Sequence, residues 1–403
     1  MFNEEQLEDM TLKIFENLGY ERLCGYDIIR DYHSVFMDFS LFLDLKAINE
    51  EFDDSQIQDA IKTIKSLSNG SPTEDNKLFT KYLLEGVPVE IKTNDGYQYK
   101  NVKLIDFEDI NKNHFQAINQ FAITEFDSKR PDIIIFVNGI PLVVIELKTA
   151  TDEDVKLEDA YNQLTGYRTV SIPSLFKYNQ FLVISDGVTA KTGTITSSYS
   201  RFSDWKKIEA DDLVYENMPT HETLFYGMFR KDRFLDIIQN FILFSSDNKI
   251  LAAYHQYFGV KKAMASTLTT GYRTGKAGIL WHTQGSGKSF SMVFYAGNMI
   301  KFLENPTIVV VTDRNDLDNQ LYETFVKCSY YLKQTPQQAE SRENLDELLN
   351  GRISGGIFFT TLQKFEEESG LFSDRNDIIV LVDECHRSHY GVEAVMKINY
   401  EKN

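Results

Sequence analysis

The chain has 403 residues, a hydrophobic fraction of 42% and a formal net charge of -18. That length exceeds one ordinary core and predicts two or three domains, and the apolar fraction excludes a disordered chain. The acidity counts against a simple DNA-coating protein, which needs a basic face against phosphates, unless cations gather in a groove or a partner delivers the DNA; the alternative is that it serves solubility. No run approaches the roughly 18 apolar residues of a membrane span. Residues 1–10 are acidic and lack the apolar stretch of a secretory signal. Cys24, Cys328 and Cys385 form neither a zinc pattern nor a paired framework, which fits a reducing cytoplasm.

In chain order, residues 4–18 alternate acidic and apolar side chains at helical spacing. Residues 41–65 read as a further helical region, closed by the turn-rich Ser-Asn-Gly-Ser-Pro at 68–72. Residues 133–137 and 142–147 are β-rich, and Asn138-Gly139 between them is a strong hairpin signal. A helix is expected over 153–167 and a strand over 181–184. Residues 197–204 are Ser-rich and read as a surface loop, and 205–248 as a connector with helices. From residue 250 the pattern changes. Short apolar strands at 278–281, 307–312, 356–361 and 378–382 alternate with longer segments, which predicts a parallel α/β sheet.

Two constellations carry chemistry. The first is Asp132, Glu146 and Lys148. Glu146 and Lys148 are two apart on a strand, so they share a face, and Asp132 opens the neighbouring hairpin strand. Two carboxylates can bind a hard cation such as magnesium, and the lysine can orient water or steady phosphate charge. Charges beside the apolar run Val143-Val144-Ile145 need partners or a function. The helix that follows sets Gln163 and Tyr167 four apart on one face. The other reading is a hairpin with surface charges.

The second constellation is Gln284-Gly285-Ser286-Gly287-Lys288-Ser289 with Asp383-Glu384. The glycines let backbone N–H groups approach phosphate oxygens, Lys288 reaches the β/γ-phosphates, and Ser289 ligates magnesium. His282 stands where the strict GxxxxGK[ST] pattern has glycine. An apolar strand ending in Asp383, for magnesium, and Glu384, for the hydrolytic water, is the expected second half. Cys385 and His386 are adjacent on an extended strand end and point opposite ways, so they make no thiol–imidazole pair. His386 fits better as a coupling residue, and His282 and His389 as structural or surface residues.

Together these residues resemble the restriction subunit of type I restriction–modification enzymes. RPDIIIFVNGIPLVVIELK at 130–148 is similar to that family's PD-(D/E)xK nuclease core, and QLTGY at 163–167 to its QxxxY element. AYHQY at 253–257 resembles the segment before the motor, where Gln256 would contact adenine. WHTQGSGKS and VDECH resemble helicase motifs I and II; VVVTDRNDLDNQL at 309–321 and TTLQKF at 360–365 resemble segments that follow nucleic acid or couple it to ATP.

The resemblance implies an α/β chain. A restriction-endonuclease-like (PD-(D/E)xK) domain would occupy 1–200, a connector 201–249, and the first RecA-like P-loop domain of a superfamily 2 helicase 250–403, incomplete. It implies ATP-dependent translocation and magnesium-dependent cleavage of double-stranded DNA, in complex with methylation and specificity subunits, as a cytoplasmic type I site-specific deoxyribonuclease. Glu8 or Glu16 would match a further acidic residue near the nuclease centre. Family members continue past motif II with a second RecA-like domain, so the resemblance implies an N-terminal fragment that is by itself a poor ATPase. The rivals are a RecB-like repair helicase–nuclease and a non-catalytic DNA-binding module with a degenerate ATPase.

Overall fold

The structure, a computed structural model, describes residues 3–93, 96–149, 157–215, 217–312, 315–361 and 373–384. Contacts divide it into two compact units, one of residues 1–242 and 247–254, the other of 243–246 and 255–403. Both are mixed α/β. No helix among the described residues is long and apolar enough to cross a membrane.

The first unit opens with helix α1 (Glu4–Asn17), started by a capping box in which Asn3 and Gln6 exchange side-chain and backbone bonds. Seven strands follow in one mixed sheet: β1 (Glu21–Cys24), β2 (Phe115–Asn119), β3 (Ile133–Val137), β4 (Ile140–Leu147), β5 (Phe181–Ser185), β6 (Ala190–Gly193) and β7 (Ser203–Asp204), in the spatial order β1 to β7. β1–β2 and β4–β5 are parallel, and the other neighbouring pairs are antiparallel. Every residue of β3 and β4 is buried, so these strands read as continuous apolar runs rather than alternating ones. Pro141 is tolerated in β4 because it sits where the β3–β4 register shifts.

The Asn138-Gly139 turn forms as expected, with φ 51 and 74. It is not on the surface, however. Asn138 is fully buried, and its amide donates to Leu104 O at 3.0 Å and Asn113 Oδ1 at 2.9 Å. Burial of the turn fixes β3 against β4, and hence where β4 delivers its last residues.

Some expectations change. The 41–65 region is two helices, Asp38–Ile48 and Asp54–Lys65. Asp53 separates them by capping the second, with its carboxylate on Gln56 N and Gln56 Oε1 on its own N–H, both at 2.9 Å. The 153–167 helix is described as α2 (Leu157–Gly166), followed by a wide turn, Tyr167–Ser171; residues 150–156 lie outside the described residues. The Ser-rich 197–204 segment ends in β7, on the sheet edge. Within 205–248 stand α3 (His221–Phe229) and α4 (Lys231–Asn240). Phe225 and Phe229 of α3 pack edge-on against Phe15 of α1 at 5.6 and 5.1 Å.

In the second unit α5 (Tyr254–Ser266) precedes the glycine loop, and α6 (Lys288–Phe302) follows it. The sheet is parallel throughout, in the order β9 (Gln337–Gln338), β10 (Ile357–Thr361), β8 (Thr307–Thr312), β11 (Ile378–Val382). The expected strand at 278–281 is not there. Ile279 and Trp281 are 77% and 83% exposed. A strand exists only where a neighbour accepts its backbone bonds, and no strand among the described residues pairs with this segment.

Candidate functional site

The β3–β4 register pairs Ile133 with Ile145, so one further step brings Asp132 beside Glu146. The Leu147 N–H donates to Asp132 Oδ2 at 2.7 Å and holds that carboxylate across the strand ends. Glu146 is fully buried. Its Oε1 accepts from Lys148 Nζ at 3.5 Å and from the Gln163 amide of α2. Gln163 Nε2 also donates to Tyr167 Oη at 2.6 Å. Asp132, Glu146, Lys148, Gln163 and Tyr167, scattered over 36 positions of sequence, thus form one connected group.

Burial and mutual repulsion disfavour the charged forms of both carboxylates. Burial, with the charges of Glu8 and Glu4 adding, pushes the Asp132 carboxyl up to about 6 against the help of Leu147 N–H and Lys148. Burial and the neighbouring Asp132 raise Glu146 well above the ordinary carboxylate range. Burial likewise raises the Tyr167 phenol. Glu146 Oε2 is buried with no hydrogen-bond partner. A buried carboxylate with an unpartnered oxygen, coupled to the carboxyl of Asp132, fits a hard divalent ion. Among the described residues no group of three or more His, Cys, Asp or Glu gathers for a metal, and magnesium commonly takes only one or two carboxylates.

Of the two N-terminal acids, Glu16 is exposed and lies 3.6 Å from Arg22 Nη1. Glu8 is 9% exposed and close enough to act on Asp132. Its oxygens accept from Asn119 Nδ2 at 2.6 Å and Gln120 Nε2 at 2.8 Å. Glu4, one turn earlier on α1, lies 3.7 Å from Lys148 Nζ. Sequence reasoning missed Glu4, Asn119 and Gln120. For Asn119 and Gln120 the available signal was a polar pair closing a buried apolar strand; for Glu4 there was none.

In the second unit the loop before α6 carries Gly285 and Gly287 at φ 80 and 81. A Cβ on Gly287 would lie 2.7 Å from Gln256 Nε2. Gln256 donates to Gly287 O at 2.9 Å, and His255 Nε2 lies 3.0 Å from Ser286 O. Gln256 therefore rests on the loop backbone. Gln284 and Gly285 are exposed, and Ser286 and Ser289 half-buried. Lys288, first in α6, reaches the end of β11: its Nζ lies 2.5 Å from Glu384 Oε1 and 3.6 Å from Asp383 Oδ1. Burial opposes the lysine charge, but these acids outweigh it and raise its pKa. Asp383 is held in line by its N–H to Val311 O at 2.9 Å, and Glu384 has φ 48. The His282 ring stands 5.4 Å from that of His255, and burial lowers its pKa. Cys385, His386 and His389 lie outside the described residues.

A family model described as "Type I restriction enzyme R protein N terminus" matches residues 1–201. One described as "SWI2/SNF2 ATPase" matches residues 255–402. The chain is 41% identical, over 97% of its length, to the type I restriction enzyme HindI endonuclease subunit of Haemophilus influenzae, of which it covers 39%. A Methanocaldococcus jannaschii protein is 34% identical over 97% of the chain and is covered to 41%. The type I restriction enzyme SauMSSORF170P endonuclease subunit of Staphylococcus aureus is 25% identical over 96%, covered to 40%. The chain spans about two fifths of the length of these relatives.

Proposed function

The chain belongs to the type I restriction enzyme R protein family, and we propose that it carries the nuclease centre and the nucleotide site of an ATP-driven DNA-cleaving subunit. The observation that carries the reading is the orphaned oxygen of buried Glu146 beside Asp132, joined through Gln163 to Tyr167. The first unit is read as a PD-(D/E)xK domain and the second as the start of a RecA-like domain. The names of the relatives favour this over a repair helicase–nuclease.

Asp132 and Glu146 would hold magnesium, which supplies Lewis-acid stabilisation of the phosphate and a more acidic bound water. Lys148 stands beside Glu146, where it can orient water or meet charge on the scissile phosphate. Gln163 holds one Glu146 oxygen, and the other would be open to the ion. Tyr167 accepts from that amide and holds its orientation.

At the second site Lys288 would exchange Glu384 for the β/γ-phosphates of ATP. Ser289 and Asp383 would hold its magnesium, and Glu384, released, would position water. Backbone N–H groups of 285–287 and the α6 N-terminus would receive the phosphates. Double-stranded DNA is the substrate, and methylation and specificity subunits are the partners, in the cytoplasm.

The test uses the full-length subunit assembled with its partners. Lys148→Ala and Asp132→Ala should abolish DNA cleavage and spare ATP hydrolysis. Lys288→Ala should remove both, since a lysine on the transferred phosphate is worth several kcal/mol in a water-excluded site. Equal loss of ATP hydrolysis in all three, with the fold intact, would overturn the assignment of two separate chemistries.

A further inference from the structure

Glu8 is a buried acid whose two oxygens are both taken by amides, one of them from Gln120. Gln120 follows β2 in left-handed backbone at φ 52, a conformation that residues with a side chain seldom adopt. Its own N–H donates to Asp132 O at 3.2 Å. On the other side, a Cβ on Gly25 would lie 2.5 Å from Gln120 O, so the main chain is held there by a close approach. One residue therefore grips the Asp132 segment with its backbone and Glu8 with its side chain.

We propose that Gln120 is a positioning residue of the nuclease centre, fixing Glu8 as an outer negative charge that strengthens divalent-cation binding at Asp132 and Glu146. The proposal rests on the reading of those two carboxylates as the cation site. Each Glu8 oxygen already accepts an amide N–H, so Glu8 is held in place as a charge beside Asp132. Groups that hold or face metal ligands from outside commonly change metal affinity by about ten- to a hundredfold.

The probe is manganese(II), titrated into the nucleotide-free chain and followed by its electron spin resonance. Glu146→Gln identifies the component belonging to the nuclease centre. Gln120→Gly removes the amide and suits the positive φ, so the backbone is retained. Glu8→Gln removes the charge at constant shape. Both should weaken the Glu146-dependent component about tenfold, with the unfolding midpoint little changed. In the assembled enzyme, half-saturating magnesium for cleavage should rise by a similar factor while the rate at saturating magnesium is nearly kept. A merely structural role would lower that rate or the midpoint and leave the metal dependence alone. Manganese affinity unchanged in either variant, where Glu146→Gln removes the component, overturns the role of Gln120 and Glu8 and leaves the nuclease reading standing. A titration unaffected by Glu146→Gln overturns the nuclease reading itself.

Discussion

His221 belongs to no motif, yet it is 1% exposed and ties two parts of the first unit. Its Nδ1 lies 2.8 Å from Ser185 Oγ and its Nε2 3.4 Å from Thr11 Oγ1 on α1. The Ser185 carbonyl in turn receives the Lys148 N–H at 2.8 Å. Burial lowers the imidazole from its ordinary 6.5 to about 4. The unfolded chain therefore binds more protons than the folded one between those values. Stability from the neutral ring is fully present above 6.5 and is lost as pH falls toward 4. The loss is on the order of 3 kcal/mol. Denaturant unfolding between pH 4 and 6.5 should show a flatter stability profile for His221→Gln than for the parent. Equal slopes would show that the ring is protonated in the fold. Lys288 and Glu384 make a different residue-scale case. They are a quarter to a third exposed, so their mutual attraction is screened and modest, which suits the proposed exchange of Glu384 for phosphate.

At the scale of elements, the β3–β4 hairpin decides where Asp132 and Glu146 meet. Its turn was legible because Asn-Gly is the pair that accepts two positive φ values. That it is buried was not legible, since the covering helix Asp38–Ile48 lies about a hundred positions upstream. A Cβ on Gly139 would come within 2.5 Å of Leu41 N. Gly139→Ala should therefore destabilise the first unit by about 2 kcal/mol or more, through strain at positive φ and a backbone clash. Chemical denaturation would measure this, and a change under about 0.5 kcal/mol would mean the turn relaxes freely. The strand expected at 278–281 failed for the complementary reason. Its apolar residues satisfy a local pattern, but a strand also needs a partner edge.

At the scale of the molecule, each site draws its residues from within one unit. Magnesium–ATP should thus slow amide exchange in the 283–287 loop and in α6, and leave β4 of the first unit unchanged. Lys288→Ala should abolish that protection. Ligand at about a hundred times its Kd would stabilise its site by about 2.7 kcal/mol, readily seen as exchange protection. Protection that survives in Lys288→Ala would argue against phosphate binding at that loop. The sequence by itself marked the residues of the two constellations, the hairpin, three of the strands of the parallel sheet and the family, because these rest on short motifs and local backbone preference. Only the tertiary structure decided between Glu8 and Glu16. Both lie on the same helix, and the choice belongs to Asn119 and Gln120, more than a hundred positions away. It also decided that Glu146 keeps one oxygen unpartnered, that Gln256 rests on Gly287 O, that His221 lies between Ser185 and Thr11, and that Gln120 bonds both Glu8 and the Asp132 carbonyl. Burial and long-range hydrogen bonding set those facts, and neither is encoded in the neighbours of a residue along the chain.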